Sequence, residues 1–251
     1  MQLIDLWDPA NVIITIGILL GLMTIARSRK ILNDRGILVA ALLGLFVGVF
    51  GHWTWLLVLL VFMVSGSIAT HYAYDEKCHL GLEEGSKGER GWVNVVANGG
   101  APAVIAVIAG LTGDHEFWST AFLAAIAVAT ADTFASEFGV LDHNVRMITN
   151  GEPCPQGTNG GYSPTGQKAA ALGASLISIL GVFLLGVFGP GIPAMWIIMI
   201  PTIAFIGWTG CQIDSLLGAM MENRGWVSKG QVNLMATVFG TLMAIGAFQL
   251  V

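Results

Sequence analysis

Charge is what this sequence has least of. Lys, Arg, Asp and Glu make up 11% of its 251 residues, under half of the roughly 25% found in water-soluble domains. A soluble globule is excluded, because nothing in such a composition covers an apolar core with polar surface. The net charge of −5, spread over few side chains, excludes nucleic acid as a partner, which needs clustered Lys and Arg. Cysteine is also scarce. Cys78, Cys154 and Cys211 are odd in number and lack metal-ligand spacing, so they read as free thiols or small apolar fillers. The stretch before the first apolar run carries Asp5 and Asp8 but no Lys or Arg. That is the wrong charge for a signal peptide, and neither a cleaved leader nor a lipid anchor is expected.

What the chain has instead is 55% hydrophobic residues, 33 glycines and a mean hydropathy of +0.74. A membrane span needs about 20 mainly apolar residues. Such runs fall near residues 11–26, 36–50, 53–70, 93–111, 117–135, 169–188, 194–217 and 233–251. The expected fold is all-α: a polytopic membrane bundle of about eight helices forming one integral membrane domain over 1–251. Only Gly51-His52 separates the second run from the third, so those two read either as full spans or as one re-entrant unit.

The 11 Lys and Arg residues all fall in alternate connections. Arg27, Arg29, Lys30 and Arg35 follow the first run; Lys77, Lys87 and Arg90 follow the third. Arg146 and Lys168 follow the fifth, and Arg224 and Lys229 the seventh. Positive loops stay in the cytoplasm, which places both termini outside.

Acids inside a membrane are costly and point to function. Asp132 and Glu137 end the fifth span and Asp214 ends the seventh, all towards the inner face; Asn98 lies at similar depth near the start of the fourth. Asp132 and Ser136 share a helix face, whereas Glu137 points about 140° away. Asp132 and Glu137 converge on one ion only if the helix loosens or the ion sits at its end. Carboxylate and amide oxygens suit Mg²⁺, which also keeps substrate phosphates. The competing reading is that each acid pairs with a neighbouring Arg or caps a helix.

Residues 151–168 are too rich in Gly and Pro for a helix, and open straight into the sixth span. Ser163 is a fitting N-cap with Pro164 at the first helical position. A glycine-rich turn feeding a helix N-terminus offers N–H groups to an anion, although this is not a Walker A loop. A plain surface loop fits the pattern equally. Residues 72–92 mix both charge signs and read as a solvated helix lying on the headgroups. His71, Cys78 and His79 lack a fourth ligand for zinc.

Several strings carry a resemblance. They are Ala131-Asp132-Thr133-Phe134-Ala135-Ser136-Glu137-Phe138-Gly139, Gly157-Thr158-Asn159-Gly160-Gly161 and Asp214-Ser215-Leu216-Leu217-Gly218, with Arg90–Gly99 and Val232-Asn233. Together they resemble the membrane family of human transmembrane protein nineteen and the plant phytyl-phosphate kinase of tocopherol synthesis (domain of unknown function ninety-two). The resemblance covers about residues 27–233. It implies an Mg²⁺-dependent kinase that transfers a phosphoryl group from a nucleoside triphosphate, CTP favoured over ATP, to phytyl or geranylgeranyl phosphate. No chloroplast transit peptide is seen. The residues expected to serve are Asp132, Glu137 and Asp214 as metal ligands. Lys77, Arg90, Lys168 and the Asn159-Gly160-Gly161 backbone would contact phosphates, and Asn98 would orient a phosphate or a metal-bound water. Thr158, Ser136 and Ser215 complete the expected substrate and nucleotide site. An ion-coupled transporter, or another lipid phosphotransferase or nucleotidyltransferase, is the alternative.

Overall fold

The computed structural model describes residues 8–85, 88–192 and 196–249. Lys87, counted above among the inner cations, lies outside them, as do the expected ends of the last two spans at 194–195 and 250–251.

Among the described residues, eight helices are long and apolar enough to cross a membrane. They are α1 (Pro9–Ser28), α2 (Asp34–Phe46), α3 (Trp53–His71), α5 (Trp92–Thr112), α6 (His115–Gly139), α7 (Pro164–Phe188), α8 (Trp196–Leu217) and α9 (Lys229–Gln249), with a short α4 (Tyr74–Leu80) between α3 and α5. Two of them end in wider π-helical turns, α2 through Val47–Gly51 and α8 through Gly218–Glu222. In the second, Asn223 N–H donates to the Gly218 carbonyl at 3.1 Å, five residues back.

The second and third runs are separate spans of 18 and 19 residues. His52 breaks the chain between them with extended backbone (φ −158°). Its Nδ1 accepts from Thr54 N–H at 3.3 Å, capping α3. Burial, with a lesser push from His115, lowers the His52 pKa to about 4, which leaves the ring neutral and able to accept. Asn11 ties the turn to α1: its amide donates to Gly48 O at 2.8 Å and accepts from Trp53 N–H at 2.9 Å.

α6 is the axis, packed on by α3, α5, α7, α8 and α9. Small residues set those approaches, as expected where lipid offers no hydrophobic drive and helices associate by close packing. A Cβ on Gly207 of α8 would lie 2.8 Å from the methyls of both Ala127 and Ala174. Large side chains such as Ile13, Leu38, Val104, Phe183 and Phe205 point outward instead, the reverse of a soluble protein.

Four connections meet at one end of the bundle. Arg90 N–H donates to Ile31 O at 2.9 Å and Asn33 N–H to Arg90 O at 3.1 Å, joining the α1–α2 and α4–α5 segments. A two-stranded hairpin (β1 Arg146–Met147, β2 Gly161–Tyr162) forms in the α6–α7 connection. Asn223 beyond α8 donates to Asn159 O at 3.0 Å. Residues 72–92 were expected as one solvated surface helix. Among the described residues between Tyr72 and Gly91 the helix is Tyr74–Leu80, and its Lys77 is buried.

Gly207→Ala should lower stability in detergent by about 1–3 kcal/mol through overpacking. Gly17→Ala, where nothing lies within 4 Å, should raise it by about 0.5–1 kcal/mol by restricting the unfolded chain. Thermal unfolding of the two variants checks the opposite signs.

Candidate functional site

α6 presents Asp132 and Ser136 on one face. The neighbouring end of α8 presents Asp214 and Ser215, and its π turn presents Glu222. Lys229 and Asn233, one turn apart on α9, complete three sides. Asp132, Ser136, Asp214, Ser215, Glu222 and Lys229 all line one cleft of about 980 Å³.

The cleft is roofed by residues 157–163, and the roof requires its glycines. Gly160 has φ +79°, and a Cβ there would meet the Ser215 carbonyl oxygen at 2.8 Å. A Cβ on Gly161 would meet Val145 at 2.8 Å and the Thr158 carbonyl at 2.9 Å. The Asn159-Gly160-Gly161 string therefore lets the loop lie directly against α8. At its floor, Trp208 Nε1 donates to Gln167 and Gln167 to Gln212, both at 2.9 Å.

Asp132 of α6 and Asp214 of α8 line the same cleft. Asn233 Nδ2 donates to Asp132 Oδ2 at 3.3 Å. Asp214 Oδ2 and Asn233 Oδ1 are buried without a hydrogen-bond partner. Two carboxylates held together in a low dielectric, with oxygens left over, are costly unless a cation joins them. The donor set of two carboxylates and an amide oxygen fits Mg²⁺, which takes one or two carboxylates plus waters and phosphates. No group of three or more His, Cys, Asp or Glu poised for a metal occurs among the described residues, so phosphate oxygens would have to share in holding the ion.

Glu137 is not part of this cleft. α6 stays regular to Gly139, so the helical phase sends Glu137 to the opposite side. There Oε1 accepts from Thr70 at 2.6 Å and from Arg90 at 3.4 Å, and Oε2 from Lys77 at 2.8 Å. Lys77, fully buried, directs its other donors to the Ala69 and Thr70 carbonyls at 2.9 and 3.2 Å. An ammonium has three donors, and all are used. The structure thus places Glu137 and Lys77, expected as metal ligand and phosphate contact, in a closed ion pair that locks the end of α3 to α6.

The remaining expected residues divide. Thr158, Asn159, Gly160, Gly161, Ser136 and Ser215 line the cleft with Asp132 and Asp214. Arg90 and Asn98 line a separate apolar groove, and Arg90 reaches Thr70 at 3.1 Å. Lys168 is exposed and lines neither hollow. The start of α7, expected to cradle an anion, is already occupied: Ser163 Oγ accepts from Gly166 N–H at 3.1 Å and Asp142 Oδ2 from Thr165 N–H at 3.0 Å. The Asn144 N–H, followed by the hydroxyl and N–H of Thr165, holds the Asp142 carboxyl below its usual range.

Sequence reasoning passed over Lys229, Glu84, Glu222 and Asn94. Lys229 pairs with Glu84 at 3.1 Å, and Asn94 donates to the same carboxylate at 2.9 Å. Lys229 also lines the cleft that holds Asp132. The usable signal was the Lys229–Asn233 spacing, which places a cation one turn before a residue already singled out. Glu84 had no such mark among Asp75, Glu76, Glu83 and Glu89.

The model of the integral membrane protein family DUF92 matches residues 17–241. An uncharacterized membrane protein of Methanocaldococcus jannaschii is 30% identical over 234 residues, 92% of each chain. Protein PGR of Arabidopsis thaliana is 34% identical over 188 residues, 68% of this chain and 65% of that one. Protein VTE6, chloroplastic, of the same plant is 26% identical over 223 residues, 85% of this chain and 64% of the relative. The chain thus spans somewhat under two thirds of the two plant relatives. No solved structure matches it.

Lys77→Met should destabilise the protein by about 3–5 kcal/mol, because it strips the buried Glu137 Oε2 of its partner and leaves the longer Arg90 contact to match the charge; chemical or thermal unfolding in detergent reads this. For Glu84, burial alone would raise the carboxyl, but Lys229, Arg90 and Asn94 outweigh it and hold the pKa below the ordinary value. A depressed carboxyl adds stability above its unfolded pKa, about 4.3, and loses it as pH falls through the folded one. The stability gap between the native chain and Glu84→Gln should therefore be full at pH 7 and close progressively below about pH 4.3, as followed by melting over a pH series.

Proposed function

The chain belongs to the DUF92 family of integral membrane proteins, and from that premise we propose that it is a prenyl-phosphate kinase, transferring a phosphoryl group from a nucleoside triphosphate, CTP in preference to ATP, to phytyl or geranylgeranyl phosphate. The observation that carries this reading is the pair Asp132 and Asp214, with an unpartnered buried oxygen, in a polar cleft beside Lys229. The motifs that resemble those of the phytyl-phosphate kinase family support this reaction, and the cleft supplies groups suited to it.

The acceptor needs little activation. A phosphate monoester has its second pKa near 6 and is largely a dianion at pH 7, so no strong general base is required. An acceptor phosphate oxygen bonds to the γ-phosphorus, the bond to the bridging oxygen breaks, and the nucleoside diphosphate leaves. What remains for the protein is positioning and charge neutralisation. Asp132 and Asp214 would hold Mg²⁺, with Asn233 beside them. Bound there, the ion would neutralise charge on the transferring phosphoryl group. Lys229 lines the cleft with Asp132 and supplies fixed positive charge there, and the loop at Asn159–Gly161 covers the nucleotide side. The gathering of every Lys and Arg in alternate connections supports a cleft open to the cytoplasm with both termini outside.

Purified protein incubated with labelled CTP or ATP and a panel of prenyl monophosphates should yield lipid heavier by one phosphate. Addition of a nucleotide would identify a nucleotidyltransferase instead. Substrate-driven ion flux in proteoliposomes, without product, would identify a transporter. Asp132→Asn should stay folded in detergent and lose turnover by about a hundredfold or more; near-normal turnover would remove Asp132 from the site. Mg²⁺ at about one hundred times its Kd should stabilise the native protein by about 2.7 kcal/mol, and Asp214→Asn should abolish that shift.

A further inference from the structure

Beyond Arg90 lies a hollow that the polar cleft does not use. It is a groove of about 1030 Å³ between α1, α2, α3 and α5, walled by apolar side chains such as Leu22, Met23, Ala41, Leu59, Phe62 and Met63. Its chief polar groups, Thr70, Arg90, Asn94 and Asn98, come from the C-terminal end of α3, the N-terminal part of α5 and the segment just before it. They therefore gather at one end of the groove, the end where the basic connections lie. Towards the opposite end α1, α2 and α3 draw together: a Cβ on Gly44 would lie 2.5 Å from Leu19 and 3.6 Å from Leu56. From Thr70 back to Leu56, α3 follows the groove for about 21 Å at 1.5 Å per residue.

The polar end leads to the cleft through named contacts. Asn94 donates to Glu84 at 2.9 Å, and Glu84 pairs with Lys229 at 3.1 Å, which lines the cleft with Asp132. Arg90 makes its side-chain hydrogen bonds among the described residues from Nη2, to Thr70 and Glu137. A guanidinium has five donors, so it keeps N–H groups for an anion.

We infer that this groove holds the single isoprenoid tail of the acceptor, with its phosphate at Arg90, Asn94 and Asn98, and that the narrowing at Leu19, Gly44 and Leu56 limits tail length. The inference rests on the kinase reading for the identity of the head group. One groove with one cation at its mouth matches a lipid of one chain and one anionic head, whereas a phospholipid needs room for two chains. Flexible Met23 and Met63 and small Ala41 suit the methyl branches of such a tail. Moving from bilayer to groove exchanges one apolar surrounding for another, so selection of the tail rests on how well it packs there and on the contacts of its head group.

Two measurements test this separately from the kinase reading. Wild-type protein is irradiated with geranylgeranyl phosphate carrying a diazirine at the far end of its tail, and the adducts are mapped by peptide mass spectrometry. Label on α1–α3 near Leu19, Met23 or Leu59, displaced by unlabelled geranylgeranyl phosphate but not by phosphatidylcholine, supports the groove. Label elsewhere, or equal displacement by phosphatidylcholine, overturns it. In the second, Ala41→Trp and, independently, Met63→Trp fill the groove. Each should lower turnover of geranylgeranyl phosphate by about tenfold or more, while dimethylallyl phosphate, too short to reach the bulk, is processed as before. Unchanged discrimination in both overturns the inference. Groove labelling without turnover of any prenyl phosphate would end the kinase reading and leave the groove standing; turnover with label elsewhere would do the reverse.

Discussion

A charge in hydrocarbon has to be matched, and the protein meets that requirement in two different ways a few residues apart on one helix. Glu137 is matched completely: Thr70, Lys77 and Arg90 take both oxygens, and Lys77 uses its remaining donors on the last carbonyls of α3. Such a pair contributes little net stability over apolar packing, yet it is very costly to break. It therefore acts as a clasp, fixing where α3, α4 and the strand-like segment through Arg90 sit against α6. Asp132 and Asp214 are matched only in part. The same physics that makes Glu137 structural makes the second pair a place where a cation and phosphates would be held.

The clasp and the cleft share a border at Arg90. Its backbone is pinned by the α1–α2 connection, its Nη2 faces the clasp, and its neighbour Asn94 holds the Glu84 that pairs with Lys229 of the cleft. Lys229 borders the cleft from the other side through Glu84. The two cations come from segments well apart in the chain. Their common setting depends on the small-residue packing of α6, which lets α5, α8 and α9 approach closely enough to bring their ends together.

The spans were legible because length and apolarity alone dictate them, and even the His52 break was visible as a two-residue interruption. Helical phase correctly separated Glu137 from Asp132, but phase cannot say what awaits on the far side. Lys77 lies 60 residues from Glu137 in the chain, and nothing in the acid-rich stretch around it marks it for burial. The Ser163 cap was readable from its Ser-Pro pair. The filling of the same helix start by Asp142, 23 residues from Thr165, was not, because it depends on how the hairpin folds back. The Gly160-Gly161 pair was read as an anion cradle. In the structure those glycines are required first by the closeness of α8, a packing constraint with the same sequence signature.

The π turn at Gly218–Glu222 sets a limit on how this chain can vary. By widening one turn it lets Asp214, Gly218 and Glu222 border the same hollow, where an unbroken α-helix would carry each successive fourth residue about 40° further round. Regular α-winding from Asp214 to Glu222 would turn the second carboxyl about 80° from the first and out of the hollow they share, so a change that tightened this turn would move a charge without altering it.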